Sequence, residues 1–254
     1  MIDIHSHILY GLDDGAQNAE DTLNMAKQAV ENGIHTIVAT PHHLDGTYTN
    51  PPEVIRERTA AVEQLLAEHQ IPLRIVPGME IHIHGEVVEE LKQDQLLTVN
   101  QQQRHILLEL PHDHLPRYVD QLIFQIQLAG FVPIIPHPER NKEISADLNL
   151  LYRLVKRGAM SQLTAASVAG KFGKNLQKIS LEMIKHNLVH FIATDAHNTG
   201  SRGAVLAEAY QVINQKVGTE YTKMYQHFAE DLLKGRDCDV PPPIRLRKKL
   251  FGIF

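Results

Sequence analysis

Cysteine is almost missing from this sequence: its 254 residues hold one, Cys238. That excludes an intrachain disulfide and a thiolate-held metal cluster, and it suits a reducing compartment. Positive charge is not in excess either. The 25 Lys and Arg stand against 30 Asp and Glu, a formal net charge of -5, which speaks against a general nucleic-acid binder. No apolar run approaches a membrane span. The opening Met1-Ile2-Asp3-Ile4-His5-Ser6-His7 puts charge and imidazole where a secretory signal needs an apolar stretch. A cytoplasmic location is the resulting expectation. Gly-rich phosphate loops and Gly-x-Ser-x-Gly elbows are missing. So are linkers, low-complexity segments and repeats. One domain over 1–254 is therefore expected, with a short basic tail from about 241 that carries Arg245, Arg247, Lys248 and Lys249.

The lone cysteine also fails as a nucleophile. A thiolate phosphatase loop needs an arginine after five intervening residues; that place is held by Ile244, and Arg245 comes one residue late. Pro241–Pro243 remove backbone N–H donors from the same stretch.

What the chain does have is histidine, sixteen of them, the commonest metal ligand and the usual proton carrier near neutral pH. Otherwise the composition is that of an ordinary globular protein, 43% apolar and 22% charged. The length suits one large α/β domain or two small ones.

Short apolar runs alternate with segments of helical period. The runs predict strands at 2–5, 36–40, 73–77, 105–110, 132–136, 162–165 and 190–194. Helices are expected over about 19–32, with Asn18 as N-cap and Gly33 as stop, and over 52–69, opened by Pro51 and Pro52. Another follows Pro116, with Val119, Leu122, Ile123 and Ile126 on one face, and later helices cover about 148–157, 174–186, 203–215 and 219–234. Leu23, Ala26 and Val30 share a face of the first. This alternation implies a parallel sheet with outer helices. The expected fold is an α/β, distorted seven-stranded (β/α) barrel; a doubly wound open sheet is the alternative.

On that scaffold, candidate metal ligands collect at the C-terminal strand ends. His5 and His7 close the first strand, His42 follows the second, Glu80 follows the third, Glu109 sits near the end of the fourth, His137 ends the fifth, and Asp195 with His197 end the seventh. Asp14 lies in the loop after the first strand and can fold back over the same rim. Residues i and i+2 of a strand point the same way, so His5 with His7, and Asp195 with His197, can converge. Any one motif is weak alone, but together they put acid or imidazole at the same end of six strands, where (β/α) barrels build active sites. Crowded carboxylates need cations between them, and four His with four acids suffice for two or three divalent ions. His35, His69, His186, His190 and His227 fall away from this rim; of His43, His82, His84, His112 and His114, His43 is the one least easily set aside as a supporting group.

Imidazole and carboxylate suit manganese, iron or zinc alike. Ions about 3.5–4 Å apart can share a hydroxide and clamp the oxygens of a phosphoryl transfer. Arginine supplies a planar fork for phosphate; Arg140, three residues past His137, and Arg202, five past His197, lie suitably. Arg140, Arg202 and His42 are the candidate catalytic residues, and the expected chemistry is hydrolysis of phosphate esters without a covalent phosphoenzyme.

The ordered set His5-Ser6-His7, Thr40-Pro41-His42, Glu80, Glu109, His137-Pro138 and Asp195-Ala196-His197 resembles the polymerase and histidinol phosphatase (PHP) family. More narrowly, Ile2-Asp3-Ile4-His5-Ser6-His7-Ile8-Leu9-Tyr10-Gly11-Leu12-Asp13-Asp14-Gly15 is similar to the manganese-dependent protein-tyrosine phosphatases of bacterial capsule and exopolysaccharide operons. The resemblance spans residues 1 to about 235 and implies a distorted barrel with about three manganese ions. One would be held by His5, His7, Glu80 and Asp195, a second by Glu80, Glu109 and His137, a third by Asp14, His42 and His197. It also implies partners: an autophosphorylating tyrosine kinase and its phosphotyrosine substrates; charge and run length add the expectation of no nucleic acid and no membrane span. Many relatives that act on small phosphates carry histidine in place of Asp14 and Glu109, which favours the tyrosine-phosphatase branch over histidinol phosphate or another small monoester. A metal-stabilised docking module and a barrel amide hydrolase or phosphodiesterase are the remaining alternatives.

Overall fold

Isoleucine, valine and leucine fill the short runs between helices, and most of these runs become strands buried on both faces, as parallel strands under covering helices must be. The computed structural model describes residues 1–246. In chain order the elements are β1 (Ile2–Ser6), α1 (Ala19–Glu31), β2 (Thr36–Ala39), β3 (His42–His43), α2 (Pro52–Glu68), β4 (Arg74–Pro77), β5 (Glu80–His82), α3 (Val87–Lys92), β6 (His105–Glu109), α4 (Val119–Leu128) and β7 (Val132–Pro136). Then follow α5 (Lys142–Ala146), α6 (Asn149–Lys156), β8 (Met160–Thr164), α7 (Ala165–Ala169), α8 (Lys174–Lys185), β9 (Phe191–Ala193), α9 (Leu206–Lys216) and α10 (Thr219–Leu233). Of the basic tail, Arg247, Lys248 and Lys249 lie outside the described residues.

All strand pairs are parallel, in two sheets of order β1-β2-β4 and β3-β5-β6-β7-β8-β9. The α/β alternation read from the sequence is therefore present, but the seven-stranded closed ladder is not: the expected strands at 36–40 and 73–77 form as β2 and β4, and each is followed, after a break, by a further short strand, β3 or β5. The first breaks at Thr40-Pro41, where proline has no N–H for the ladder. The second breaks at Gly78, where a Cβ would stand 2.7 Å from Val38 Cγ1, so the chain can pass this close only without a side chain. After each break the strand resumes displaced, pairing His42 with Glu80 in the second sheet. At the far side β9 runs out beside β1: Asp195 N donates to the His5 carbonyl at 2.9 Å, and His7 N to the Ala196 carbonyl at 2.9 Å.

Helix α1 begins as expected, with Asn18 Oδ1 accepting from Asp21 N at 3.0 Å. Its buried face is Thr22, Met25, Ala26 and Ala29, while Leu23 and Val30 are only half-buried. The turn of the helix is set by Thr22, whose hydroxyl donates to the Ile8 carbonyl at 2.7 Å and draws that face inward. Helix α4 buries Val119, Leu122, Ile123 and Ile126 as the period required. The single-turn helices α3, α5 and α7 carried too short a period to be read. No helix among the described residues is long and apolar enough to cross a membrane.

Candidate metal centre

The strand breaks and strand ends deliver one concentrated group of imidazoles and carboxylates. His5 (in β1), His7 (just past it), Glu80 (first in β5), Glu109 (last in β6), His137 (past β7), and Asp195 with His197 (past β9) are all buried; His42, in β3, is half-buried. His137 and Asp195 adopt left-handed backbone, φ +36° and +52°, a cost of order 1–3 kcal/mol each that is typical where geometry serves a site.

Four donors converge first. His5 Nε2 stands 3.2 Å from His7 Nε2, 3.2 Å from Glu80 Oε2 and 3.6 Å from Asp195 Oδ1. His7 Nε2 stands 3.4 Å from each of the same two carboxylate oxygens. Ligands about 2.1 Å from one ion, at tetrahedral to octahedral angles, stand roughly 3.0–3.4 Å apart, so the spacing fits a cation at the centre. A second group adjoins it. His137 Nε2 lies 2.8 Å from Glu80 Oε1 and 3.9 Å from Glu109 Oε1, while His42 Nδ1 lies 3.1 Å from Glu80 Oε2 and 3.9 Å from Glu109 Oε2. In the third, Asp14 Oδ1 is 3.5 Å from His42 Nε2 and 3.3 Å from His197 Nε2. His42 thus faces two groups, one with each ring nitrogen, and His7 also borders the third.

Three buried atoms here have no hydrogen-bond partner: Glu80 Oε2, His42 Nδ1 and His197 Nε2. Leaving such atoms bare costs about 1–3 kcal/mol each, and metal ions bound in these groups would satisfy all three. The imidazoles are also set in the tautomer that ligation needs. His5 Nδ1 donates to Gln162 Oε1 at 2.8 Å, His7 Nδ1 to Asp13 Oδ2 at 2.6 Å, and His197 Nδ1 to the Asp195 carbonyl at 2.9 Å, which leaves each Nε2 lone pair free.

Electrostatics ask for positive charge at the same point. Burial alone would raise Glu80 and Asp195, but the facing imidazoles outweigh it and hold both carboxyls well below their ordinary range. Burial opposes charge on His5 and His7 as well, yet Glu80 beside the one and Asp13 beside the other raise both.

Both arginines reach this rim. Arg140 NH1 donates to Asp195 Oδ2, and Arg202 lies 3.3 Å from Asp195 and 3.3 Å from Asp14. They share a cavity of about 400 Å³ over the donors with Tyr48, His82, His112 and His137. The loop bearing Asp14 closes tightly over β1 because Gly15 packs on the His7 backbone, where any Cβ would collide with the carbonyl oxygen.

Other readings change. His43 does not support the centre: it is buried at the end of β3, where its Nδ1 accepts from Asn50 N at 3.1 Å. His82 does, with Nδ1 3.2 Å from Glu109 Oε2; its position two residues past Glu80 on one strand was the available signal. Asp13 and Gln162 were missed. Gln162 sits on β8, the one expected strand that offers no acid or imidazole to the rim. Cys238 stays excluded, since burial, with Asp231 and Asp237 nearby, pushes its thiol up to about 12.

A parallel α/β fold with clustered imidazole and carboxylate donors at the strand ends, capped by two arginines, defines the class: a chain suited to metal-dependent hydrolysis of an anionic substrate. The family is more particular. The chain belongs to the capsular polysaccharide synthesis family CpsB/CapC, whose model matches residues 1–234. It is 46% identical to the tyrosine-protein phosphatase YwqE of Bacillus subtilis, over the full length of both chains. It is 29% identical to the tyrosine-protein phosphatase CpsB of Streptococcus pneumoniae, covering 88% of this chain and 93% of that one. A crystal structure from work on YwqE and CpsB, described as unique metal-dependent tyrosine phosphatases, superposes with a TM-score of 0.95 at 45% identity, covering 98% of this chain and 100% of that one.

Proposed function

We propose that this chain is a metal-dependent protein-tyrosine phosphatase acting on phosphotyrosine in bacterial proteins, a tyrosine kinase and its substrates, in the control of capsule or exopolysaccharide synthesis. One observation carries the reading: three unpartnered buried donor atoms lie beneath a cavity that holds two arginines. The tyrosine-phosphatase relatives supply the substrate class.

The proposed ions are manganese, about three. His5, His7, Glu80 and Asp195 would hold one, Glu80, Glu109 and His137 a second, and Asp14, His42 and His197 a third, with His42 also facing the second. Bound there, such ions would polarise phosphoryl oxygens and lower the pKa of a water. Arg140 and Arg202 present planar forks that bind and orient the phosphoryl group. Asp13 and Gln162 hold His7 and His5 in their ligating tautomers. The departing phenol has an ordinary pKa of about 10, so it needs less acid assistance than an alkyl alcohol. On the same reading the two sheets act as one distorted seven-stranded barrel, a single domain over the whole chain, working in the cytoplasm; the β1–β9 backbone bonds and the lone free thiol support these points.

The test is phosphate release from a phosphotyrosyl peptide by chelator-stripped protein, before and after adding manganese, iron or zinc, with a phosphoseryl peptide as control. Release restored by metal and selective for phosphotyrosine is expected. A folded protein inert with every metal would remove the phosphatase reading.

A further inference from the structure

The loop between β3 and α2 turns one aromatic side chain toward the cavity over the donors. The described residues lining that cavity are acids, imidazoles, Arg140, Arg202, Thr47 and Tyr48. None of them is leucine, isoleucine, valine, methionine or phenylalanine, so Tyr48 offers the one hydrocarbon ring among them. A phosphoryl group is met by the donors and the arginines. The phenyl ring that carries it in phosphotyrosine wants an apolar wall, and Tyr48 is the wall present.

Tyr48 is held in place by its loop and not by the core. Asp45 Oδ1 accepts from Thr47 N at 2.8 Å and from Tyr48 N at 2.7 Å, and the Tyr48 carbonyl accepts from Leu44 N at 2.9 Å. Asn50 pins the far end: its N donates to His43 Nδ1 at 3.1 Å, and its side-chain amide donates to the Leu12 and His42 carbonyls at 2.9 and 2.8 Å. Tyr10, Tyr152 and Tyr221, also half-buried, pack against the hydrophobic core. Tyr48 instead lies beside His42, the two rings 12° from parallel with centroids 6.4 Å apart. It borders this cavity and the adjoining one along α1, so its ring faces open space rather than apolar neighbours.

We propose that Tyr48 is the specificity-determining residue for the aryl group of the substrate: its ring packs on the phenyl ring of phosphotyrosine while Arg140 and Arg202 hold the phosphoryl group. A phosphoseryl or phosphothreonyl side chain carries no ring, leaves Tyr48 uncovered and forgoes that contact. This rests on the phosphotyrosine reading above.

The experiment uses the full chain loaded with manganese, 4-nitrophenyl phosphate as substrate, and phenylphosphonate and methylphosphonate as competing inhibitors that share an anionic head and differ in the ring. The parent is expected to bind phenylphosphonate about tenfold more tightly than methylphosphonate. Tyr48→Ala brings that ratio to within about twofold of one and raises KM for 4-nitrophenyl phosphate more than it lowers kcat. Tyr48→Phe keeps the ratio. Tyr48→Leu, apolar but not flat, falls between them and carries the test if Tyr48→Ala disturbs His42. Methylphosphonate inhibits parent and variants alike, since the donors and arginines stay in place. A parent ratio near one, a ratio that neither Tyr48→Ala nor Tyr48→Leu moves, or equal weakening of both phosphonates overturns the assignment while 4-nitrophenyl phosphate is still cleaved. If the parent cleaves neither 4-nitrophenyl phosphate nor a phosphotyrosyl peptide with any of the three metals, the phosphatase reading falls and the assignment with it.

Discussion

His7 donates its Nδ1 proton to Asp13 across 2.6 Å, deep in the fold. The same carboxylate accepts from Gly15 N at 2.9 Å and from His42 N at 3.1 Å. One acid therefore fixes a ring, a loop and a strand start around the donor group. Asp13→Asn keeps the size but weakens the acceptor. Metal affinity is expected to fall about 10–100-fold with little change in fold, read by competition against a chelating dye alongside circular dichroism. Unaltered affinity would show that His7 needs no such partner.

Metal removal is expected to cost stability as well as turnover. Glu80 is buried between the other two acids, sharing His5 and His7 with Asp195 and His42 and His137 with Glu109, and acids so placed repel unless cations or protons lie between them. An ion at a thousand times its Kd stabilises the fold by about 4 kcal/mol. Thermal melts with manganese and with chelator at pH 7.5 check this; coincident curves would argue against tight binding.

The sequence made the rim legible because the donors sit at strand ends, and strand ends follow from apolar runs and their stops. His137 after Val132–Pro136 and Asp195 after Phe191–Ala193 are such cases. Pro41 could have signalled the first stop, since it lacks a ladder N–H, but the break at Gly78 was not legible, because it depends on how closely neighbouring strands approach, as Gly78 does to Val38. Asp13 was hidden for a related reason. Asp13 and Asp14 are chemically alike and adjacent, yet one grips His7 from behind and the other faces His42 and His197. Only the path of the loop decides between them. Gln162 reads as an ordinary polar strand residue until His5 is seen against it.

Gly15→Ala tests that loop path. The new methyl group would collide with the His7 carbonyl and Cβ, both backbone or near it, so the loop must move and take Asp14 with it. Displacement of a site group by about 1 Å can cost around 100-fold in rate. Turnover of 4-nitrophenyl phosphate should fall on that scale while the far-UV spectrum persists.

The arginines are separable by charge and shape. Arg202→Lys keeps the cation and loses the fork that spans Asp14 and Asp195 at 3.3 Å. If the fork orients the phosphoryl group, kcat/KM falls roughly 10-fold or more for Lys and further for Ala, with weaker inhibition by inorganic phosphate. Equal behaviour of the lysine variant and the parent would reduce Arg202 to a source of charge.

The last prediction concerns acid, and it turns on histidines outside the centre. His105 and His190 are buried, at the opening of β6 and just before β9, and burial lowers both from 6.5 to about 4. His190 accepts from Ser161 N at 2.9 Å, a bond that requires the neutral ring on that nitrogen. Folded pKa values below unfolded ones mean that the unfolded chain takes up protons first as pH falls. The stability these rings contribute is therefore complete above about 6.5 and is lost progressively toward 4. Between pH 7.5 and 5 each ring accounts for a loss of about 2 kcal/mol. His190→Asn leaves an acceptor for Ser161 N and removes the titration. In chelator, so that metal release plays no part, urea melts of this variant at the two pH values should converge by about that amount relative to the parent. An undiminished gap would mean that His190 is solvated, or already charged, inside the fold.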